Sequence, residues 1–186
     1  VLDAFQVGAG ETGRTTAHIT AVLDDRFSSL ERLHGRERTQ LAAESHRSAI
    51  DLIETIANSE SIDCDFERVP AYLMSTSADQ LPLLREEESA SRWAGFPDIE
   101  PVASLRTPAF AFEGPGIQYQ RQATFHPGKY LRGLARAFLK RGGRLATGAR
   151  VIDVSGGKDA WVMLAYRTKI RAQHILVAPN TPFNGR

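Results

Sequence analysis

Three glycines near the start of the chain have the G-x-G-x-x-G spacing of a phosphate-binding turn: Gly8, Gly10 and Gly13. Side chains that can donate hydrogen bonds to an anion follow directly: Arg14, Thr15 and Thr16. Because glycines carry no side chain, the backbone N–H groups of such a loop can approach a pyrophosphate closely. We name residues 8–16 the glycine loop and predict that it contacts the pyrophosphate of a dinucleotide.

The sequence around the glycine loop does not match a first dinucleotide-binding turn. Such a turn connects a buried strand to a helix, and an acidic residue for the ribose follows about 20 positions later. Residues 3–7 are interrupted by polar side chains, and residues 15–22 are rich in β-branched side chains, which disfavour a helix. Asp24 and Asp25 come too early to be that acid, and Glu31 falls inside a predicted helix. An ordinary glycine-rich turn is one alternative interpretation.

Asp3 indicates a different place for the glycine loop in the fold. If residues 1–3 end the second strand of a dinucleotide-binding sheet, Asp3 is itself the acid that accepts hydrogen bonds from ribose hydroxyls. The first glycine turn then precedes residue 1, and the chain is a fragment of a longer protein. This interpretation predicts an extended or irregular run through Ala21. An NAD-binding module that uses the loop as its first turn predicts a helix beginning near Gly13 instead.

The hydrophobic pattern of residues 24–59 predicts two helices. Asp24 or Asp25 is placed to cap the first, which runs through Leu33, and Gly35 is placed to end it. The second has an apolar stripe at steps of three and four residues: Leu41, Ser45, Ala49, Leu52, Ile53 and Ile56.

The rest of the chain combines strands and helices. Residues 66–74 and 117–122 are strand-like, and a helix is predicted at residues 80–93, in which Glu86, Glu87 and Glu88 are expected to face solvent. Another helix begins at Pro127. Short strands are predicted around residues 144–146, 151–154, 161–166 and 175–178.

The composition excludes several classes of function. The chain of 186 residues carries 23 Lys plus Arg and 22 Asp plus Glu, so its formal charge of +1 offers no strong field for nucleic acid or anionic lipid. Its apolar runs are too short to span a bilayer. Cys64 is the single cysteine, which excludes an internal disulfide and fits a reducing compartment. We therefore expect a cytoplasmic protein without nucleic-acid or membrane partners.

Several segments together resemble FAD-dependent oxidoreductases of the glycine and D-amino-acid oxidase class. They are VLDA at 1–4, GAGETGRTTAHIT at 8–20, LDDR at 23–26, ERLHG at 31–35, AESH at 43–46, CDFER at 64–68, FHPGKYL at 125–131, RGG at 141–143 and APNTP at 178–182. The resemblance covers nearly the whole chain. It is strongest to the bacterial type whose full-length members carry a C-terminal Rieske iron-sulfur domain.

The resemblance implies an α/β fold: a partial, Rossmann-like FAD/NAD(P)-binding domain of the glutathione-reductase type, incomplete at its N-terminus, with an inserted α+β substrate subdomain. Residues 1–62 and 127–186 would belong to the FAD-binding portion, and residues 63–126 to the substrate-binding subdomain. The substrate would be a small amine or amino acid, whose C–N bond is oxidised by hydride transfer to the flavin.

The resemblance also implies a set of FAD contacts. Asp3 would bind the adenosine ribose, and Val151 the adenine through its backbone. The glycine loop would lie against the pyrophosphate and the flavin through Gly10, Gly13, Arg14, Thr15 and Thr16. The turn after the last strand would close on the cofactor through Ala178, Asn180 and Thr181. No catalytic side chain is implied, because the flavin carries the chemistry.

One departure from the family pattern leaves a second hypothesis open. The family's own first glycine turn is absent from this chain, and with it the main pyrophosphate site. The isolated chain is therefore expected to be inactive, and retention of FAD by this fragment is an open question. The alternative is a non-catalytic fragment that folds without cofactor and forms a homodimer through exposed sheet edges.

Overall fold

The computed structural model describes residues 1–108 and 111–179. These residues form four α helices: α1 (Phe27–His34), α2 (Arg36–Ser59), α3 (Leu81–Trp93) and α4 (Pro127–Lys140). They also form seven strands: β1 (His18–Ile19), β2 (Glu67–Met74), β3 (Glu100–Arg106), β4 (Ala111–Thr124), β5 (Val151–Ser155), β6 (Trp161–Leu164) and β7 (Lys169–Arg171). Two short 3-10 helices complete the set: Glu11–Arg14 and Ala78–Gln80.

The chain packs as two compact units. Unit 1 consists of residues 1–15 and the residues from 127 onward, and unit 2 is the continuous segment Thr16–His126. Residues 16–62 therefore pack in the same unit as residues 63–126. These bounds differ from the predicted division into an FAD-binding portion at residues 1–62 and 127–186 and a substrate-binding subdomain at residues 63–126, and that division stays a prediction.

Unit 2 contains an antiparallel sheet built around the long strand β4. Strand β2 pairs with one edge of β4, and β1 and β3 also pair with β4. The register of the β2 pairing shifts between Val69 and Ala71, so Gln120 and Arg121 of β4 face the single residue Pro70. Proline has no N–H to donate to a ladder, and a bulge opposite it removes the need for that bond. The strand predicted at residues 66–74 is confirmed.

The helices of unit 2 pack around an aromatic centre. Phe27 of α1, Phe96 in the loop after α3 and Tyr119 of β4 are buried, with ring centroids 5.2 Å apart for the first two and 5.7 Å apart for the last two. The Tyr119 hydroxyl lies 2.9 Å from the hydroxyl of Ser91 on α3. Burial raises the pKa of Tyr119 to about 12, against the opposing effect of the Ser91 hydrogen bond. Tyr119 is therefore a neutral core residue.

The buried face of α2 differs from the predicted stripe. The residues that the helix buries are Thr39, Ala43, Ile50 and Ala57. Leu41 and Leu52 are 59% and 58% exposed, and Ser45 and Ala49 are also exposed, so the predicted stripe is wrong at these four positions. The reason is that small side chains let a helix approach its neighbours closely, and packing rather than hydrophobicity alone selects the buried face.

A buried glutamate from α3 caps α1. The Glu87 carboxylate accepts hydrogen bonds from the backbone N–H groups of Phe27 (2.8 Å) and Ser28 (2.9 Å) and from the Ser28 hydroxyl (2.7 Å). Glu87 is only 1% exposed, so the prediction that it faces solvent is wrong. The predicted cap by Asp24 or Asp25 is also wrong, because a carboxylate from another helix satisfies the N–H groups at the start of α1. Gly35 ends α1, as predicted.

Unit 1 combines α4 with a small antiparallel sheet. Strands β5, β6 and β7 pair in that order, which confirms the strands predicted at residues 151–154 and 161–166. The N-terminus pairs with the segment after α4, since Leu2 forms a parallel bridge with Ala146. Residues 175–178 do not form the predicted strand, and Leu176 is 93% exposed. An apolar run becomes a strand only beside a partner, and no described residue pairs with this one.

Candidate functional site

Asp3 directly follows Leu2, which forms an isolated parallel bridge with Ala146, so residues 1–3 are not a strand of a described sheet. Its backbone N–H donates to the Ala146 carbonyl (2.9 Å), and its own carbonyl accepts from the Ala149 N–H (2.8 Å). The Asp3 Oδ1 atom accepts a local hydrogen bond from the Phe5 N–H (2.9 Å). A carboxylate can accept about four hydrogen bonds, so this half-buried group retains capacity for further hydroxyl donors. The geometry fits the predicted role of binding a ribose.

The glycine loop turns sharply and packs on α4. Gly8 has a φ of +81°, which glycine adopts without strain, and a Cβ on it would lie 3.5 Å from Leu131 on α4. The Ala9 N–H donates to Gln6 (3.0 Å), and the Gly13 N–H donates to Gly10 (3.2 Å) across the 3-10 turn Glu11–Arg14. Within unit 1 the loop is therefore a tight, exposed turn held by its own backbone and by α4.

Gly10 and Gly13 are glycines for different reasons. A Cβ on Gly13 would lie 2.2 Å from the Gly8 carbonyl oxygen, so the fold itself excludes a side chain there. A Cβ on Gly10 would meet no atom within 4 Å, and its φ of −84° is open to any residue. The fold gives no reason for glycine at position 10. A ligand that approaches the exposed Gly10 backbone would explain the glycine, because a side chain there would occupy the space of the ligand. This fits the predicted contact with FAD.

The donors that follow the glycines are accessible. Arg14 forms an ion pair with Glu11 at 3.7 Å, but these side chains are 73% and 75% exposed, so the pair holds the guanidinium only weakly. Thr15 is exposed at the end of the first segment of unit 1, and Thr16 is exposed at the start of unit 2. The side chains of Arg14, Thr15 and Thr16 are thus exposed, and an anion in solution can reach them.

The segment after the glycine loop distinguishes the two dinucleotide hypotheses. A single 3-10 turn ends at Arg14, the chain is then extended or irregular through Ala21, and α1 begins only at Phe27. The prediction of a helix beginning near Gly13 is wrong, and with it the interpretation of the loop as the first turn of an NAD-binding module. The β-branched side chains in this run account for the difference.

Val151 lies near Asp3 in unit 1. It is half-buried and pairs with Leu164 as the first residue of β5, two residues after Ala149, whose N–H binds the Asp3 carbonyl. Ala178 is exposed in an irregular segment. Asn180 and Thr181 lie outside the described residues. The structure thus places Asp3 beside the segment that leads into Val151, while the cofactor contacts that we infer from the resemblance stay predictions.

Arg150 is a candidate that the sequence analysis missed. Its guanidinium lies 5.3 Å from the centroid of the Phe5 ring, and this ring is 59% exposed two residues after Asp3. A guanidinium stacked on an aromatic ring is attracted to its π face. Residues 5 and 150 are too far apart in sequence for any local pattern to reveal this contact. It places a cation and a flat apolar surface beside the predicted ribose-binding carboxylate.

Other site chemistries find no support in residues 1–108 and 111–179. No group of three or more His, Cys, Asp or Glu side chains in these ranges could hold a metal ion. The described helices include none with the length and apolar character of a membrane span. Cys64 is buried, and burial raises the pKa of its thiol, which disfavours the reactive thiolate.

A family model and a curated relative match almost the whole chain. The model described as "FAD dependent oxidoreductase" matches residues 1–182. A protein of Bacillus subtilis, YhfW, whose name describes it as a Rieske 2Fe-2S iron-sulfur protein, is 27% identical over 183 residues. That match covers 98% of this chain but 35% of the relative, so the chain spans about a third of the curated relative's length.

Solved structures of a glycine oxidase, an L-amino acid deaminase and an L-proline dehydrogenase share the fold. Glycine oxidase from Geobacillus kaustophilus superposes with a TM-score of 0.69 at 16% identity, over 92% of this chain and 46% of that one. L-amino acid deaminase from Proteus myxofaciens gives a TM-score of 0.65 at 14% identity, over 92% and 38% of the two chains. L-proline dehydrogenase from P. horikoshii gives 0.60 at 10% identity, over 89% and 41%. These likenesses confirm the predicted mixed α/β, Rossmann-like fold.

Proposed function

Because the chain belongs to the FAD dependent oxidoreductase family, we propose that it is the partial FAD-binding and substrate-binding portion of an enzyme that oxidises the C–N bond of a small amine or amino acid. FAD, when bound, would supply the acceptor for the hydride that leaves the substrate carbon. The names of the structural neighbours, a glycine oxidase, an L-amino acid deaminase and an L-proline dehydrogenase, support this substrate class.

The residues of unit 1 would divide the binding of FAD among them. The Asp3 carboxylate would accept hydrogen bonds from ribose hydroxyls, and the exposed backbone at Gly10 would lie against the pyrophosphate, with Arg14 as a cationic donor. The Phe5 ring and the Arg150 guanidinium, which contact each other beside Asp3, offer a surface for the adenine end. Substrate would then be oriented by residues that the chain presents elsewhere, and we assign none of them.

The observation that carries the proposal is the unexplained glycine at position 10. We expect purified protein to bind FAD, as measured by the change in flavin absorbance and fluorescence on titration. Gly10→Ala should weaken that binding by about tenfold or more, because its methyl group occupies the space of the cofactor rather than of the protein. Gly156→Ala is the matched control, since a Cβ there also meets no atom within 4 Å and its φ is unrestricted.

The outcomes of that titration separate the hypotheses. Equal FAD affinity for Gly10→Ala and Gly156→Ala would show that the cofactor does not approach the loop at Gly10. Protein that ignores FAD altogether, yet is folded by circular dichroism, would favour the non-catalytic fragment. The reaction itself is tested in the longer enzyme of which this chain would be a portion: with FAD bound, anaerobic addition of glycine or L-proline should bleach the oxidised flavin absorbance. FAD in that enzyme that no amine or amino acid reduces would refute the proposed reaction.

The edge strand β7 does not favour the alternative hypothesis of a homodimer formed through sheet edges. Strand β7 pairs only with β6 among the described strands, and it presents two exposed cations, Lys169 and Arg171, on three residues. Short, charged edge strands are typical of protected edges rather than of interfaces. The homodimer stays a prediction, which the mass in sedimentation equilibrium tests. We propose a cytoplasmic location, consistent with the single cysteine.

A further inference from the structure

The two units of the chain carry opposite charge. Among the described residues, unit 1 contains 12 Lys and Arg against 4 Asp and Glu, which gives a net charge of +8. Unit 2 contains 10 Lys and Arg against 18 Asp and Glu, which gives a net charge of −8. The formal charge of +1 for the whole chain conceals this separation. The total therefore understates the electrostatic field that an anion meets at unit 1.

Helix α4 carries a row of exposed cations. Residues 127–152 contain seven Lys and Arg and no Asp or Glu. Arg132, Arg136 and Lys140 follow each other at steps of four residues, which places them on one face of the helix, and all three are exposed. None of the three forms an ion pair with any described residue. Their charge is therefore not neutralised within the described part of the chain.

The stability of the helix does not explain this row of cations. Like charges four residues apart on a helix repel each other and destabilise it. Only Lys140 lies in the last turn of α4, where a cation interacts favourably with the helix dipole. In unit 2, by contrast, four arginines form ion pairs: Arg36, Arg68, Arg92 and Arg106. An anion that approaches unit 1 would compensate the repulsion along α4.

The glycine loop lies against the same helix. A Cβ on Gly8 would lie 3.5 Å from Leu131, the residue before Arg132. Lys140 lies nine residues beyond Leu131, which is about 14 Å along the helix axis. The Debye length is about 30 Å at 0.01 M salt and about 8 Å at 0.15 M salt. All three cations of the row therefore act on an anion at the loop in dilute salt, and this attraction is mostly screened at 0.15 M salt.

We propose that the cations of unit 1, foremost Arg132, Arg136 and Lys140, draw FAD from solution to the glycine loop. The inference rests on the proposed FAD site. FAD is an anion because its pyrophosphate is ionised at neutral pH, and a field of opposite sign raises the rate at which it encounters the site. The three side chains act through this field and not through contact with the bound cofactor. They therefore accelerate association and leave dissociation unchanged.

The test is stopped-flow mixing of the whole chain with FAD, followed by flavin fluorescence at several salt concentrations. We expect the association rate constant to fall by about tenfold between 0.01 M and 0.15 M salt. A unit charge about 12 Å from a doubly charged anion contributes about a factor of two at 0.01 M salt. Arg132→Gln/Arg136→Gln/Lys140→Gln should therefore lower the association rate constant by about eightfold at 0.01 M salt and by about twofold at 0.15 M salt. Its dissociation rate constant should be unchanged.

The matched control is Arg32→Gln/Arg38→Gln/Arg85→Gln. It removes three exposed cations of unit 2 and therefore changes the net charge of the chain by the same amount. We expect it to change the association rate constant by less than about twofold at either salt concentration. Circular dichroism should confirm that both triple variants fold, since all six substituted side chains are exposed.

The outcomes separate this inference from the proposed FAD site. An association rate constant that does not depend on salt, or equal losses in the two triple variants, would overturn the inference and leave the FAD site in place. A raised dissociation rate constant in the α4 variant would also overturn it, because these side chains would then contact the bound cofactor. Folded protein that ignores FAD at every salt concentration would overturn the FAD site and this inference together.

Discussion

Removal of the Glu87 carboxylate should destabilise unit 2 more than the loss of any other charged side chain on α3. Glu87 accepts three hydrogen bonds at the N-terminus of α1, two from backbone N–H groups and one from the Ser28 hydroxyl. In Glu87→Ala the Phe27 N–H, on a residue that is 0% exposed, has neither this acceptor nor water. The favourable interaction between the carboxylate and the helix N-terminus is also lost.

The magnitude follows from those contacts. A hydrogen bond to a charged group contributes about 1.5–3 kcal/mol, and a buried N–H left unpaired costs about 1–3 kcal/mol. Removing the carboxylate also removes the cost of burying it, so the losses do not simply add. We expect Glu87→Ala to lower the free energy of unfolding by about 3–5 kcal/mol. With a urea m-value of about 1–3 kcal/mol/M for a unit of this size, the midpoint should fall by about 2 M.

The measurement needs a signal from unit 2 alone. The chain has two tryptophans, Trp93 on α3 and Trp161 on β6. In a Trp161→Phe background, fluorescence during urea unfolding reports only the surroundings of Trp93. Glu86→Ala is the matched control, because Glu86 is the exposed neighbour of Glu87 on the same helix, and its loss should stay within about 0.5 kcal/mol.

Glu87→Gln provides an intermediate test. It keeps one acceptor oxygen but loses the charge and presents an amide donor to the N–H groups of α1, so about half of the loss should remain. If Glu87→Ala shifts the midpoint no more than Glu86→Ala does, the carboxylate does not hold the start of α1, and the reasoning from its burial fails.

Three further changes test other parts of the fold. Gly13→Ala should destabilise unit 1 by about 1–3 kcal/mol in urea unfolding, because the new methyl group meets the Gly8 carbonyl, whereas Gly156→Ala should not; equal midpoints would contradict this crowding. The pKa of Tyr119 is raised by burial from 10.0 to about 12, so the folded state holds its proton more tightly. The contribution of this buried, protonated hydroxyl to the stability of unit 2 should therefore be complete below pH 10 and lost as the pH rises towards 12, and Tyr119→Phe should flatten this dependence; an unchanged pH profile would count against it. Phe96→Ala, which empties the centre of the aromatic cluster, should cost about 3–5 kcal/mol, and a loss below 1 kcal/mol would mean that the site collapses.

The sequence predicted helices better than strands for a physical reason. Helix α4 follows from local features alone, since Pro127 begins it and its apolar face repeats every three to four residues. Strand β3 was not predicted, because its segment lies in a stretch rich in proline and glycine. In the fold β3 pairs only with β4 among the described strands, and Pro101 is tolerated on such an edge.

The candidate site was predictable in part for a similar reason. Asp3 and the glycine loop lie close together in sequence, so their residue types and spacing indicated the chemistry. Arg150 depends on a contact with Phe5 across the fold, and no local pattern contains that information. For Glu87 the local pattern was misleading. A run of three glutamates is typical of a solvent-exposed helix face, yet the central carboxylate is buried because it accepts hydrogen bonds from the N–H groups at the start of α1.

The pairing of the two ends of unit 2 has a consequence for the order in which the chain folds. His18 pairs with Thr124, and the Phe125 N–H donates to the Ala17 carbonyl at 3.1 Å, so the residues that enter and leave this unit are neighbours. The two segments of unit 1 are separated by about 110 residues of chain. Closing an unstructured loop of that length costs about 4 kcal/mol of chain entropy. Once unit 2 has folded, its two ends are adjacent, so only a short connection separates the two segments of unit 1. Most of the loop-closure entropy has then already been lost before Leu2 pairs with Ala146.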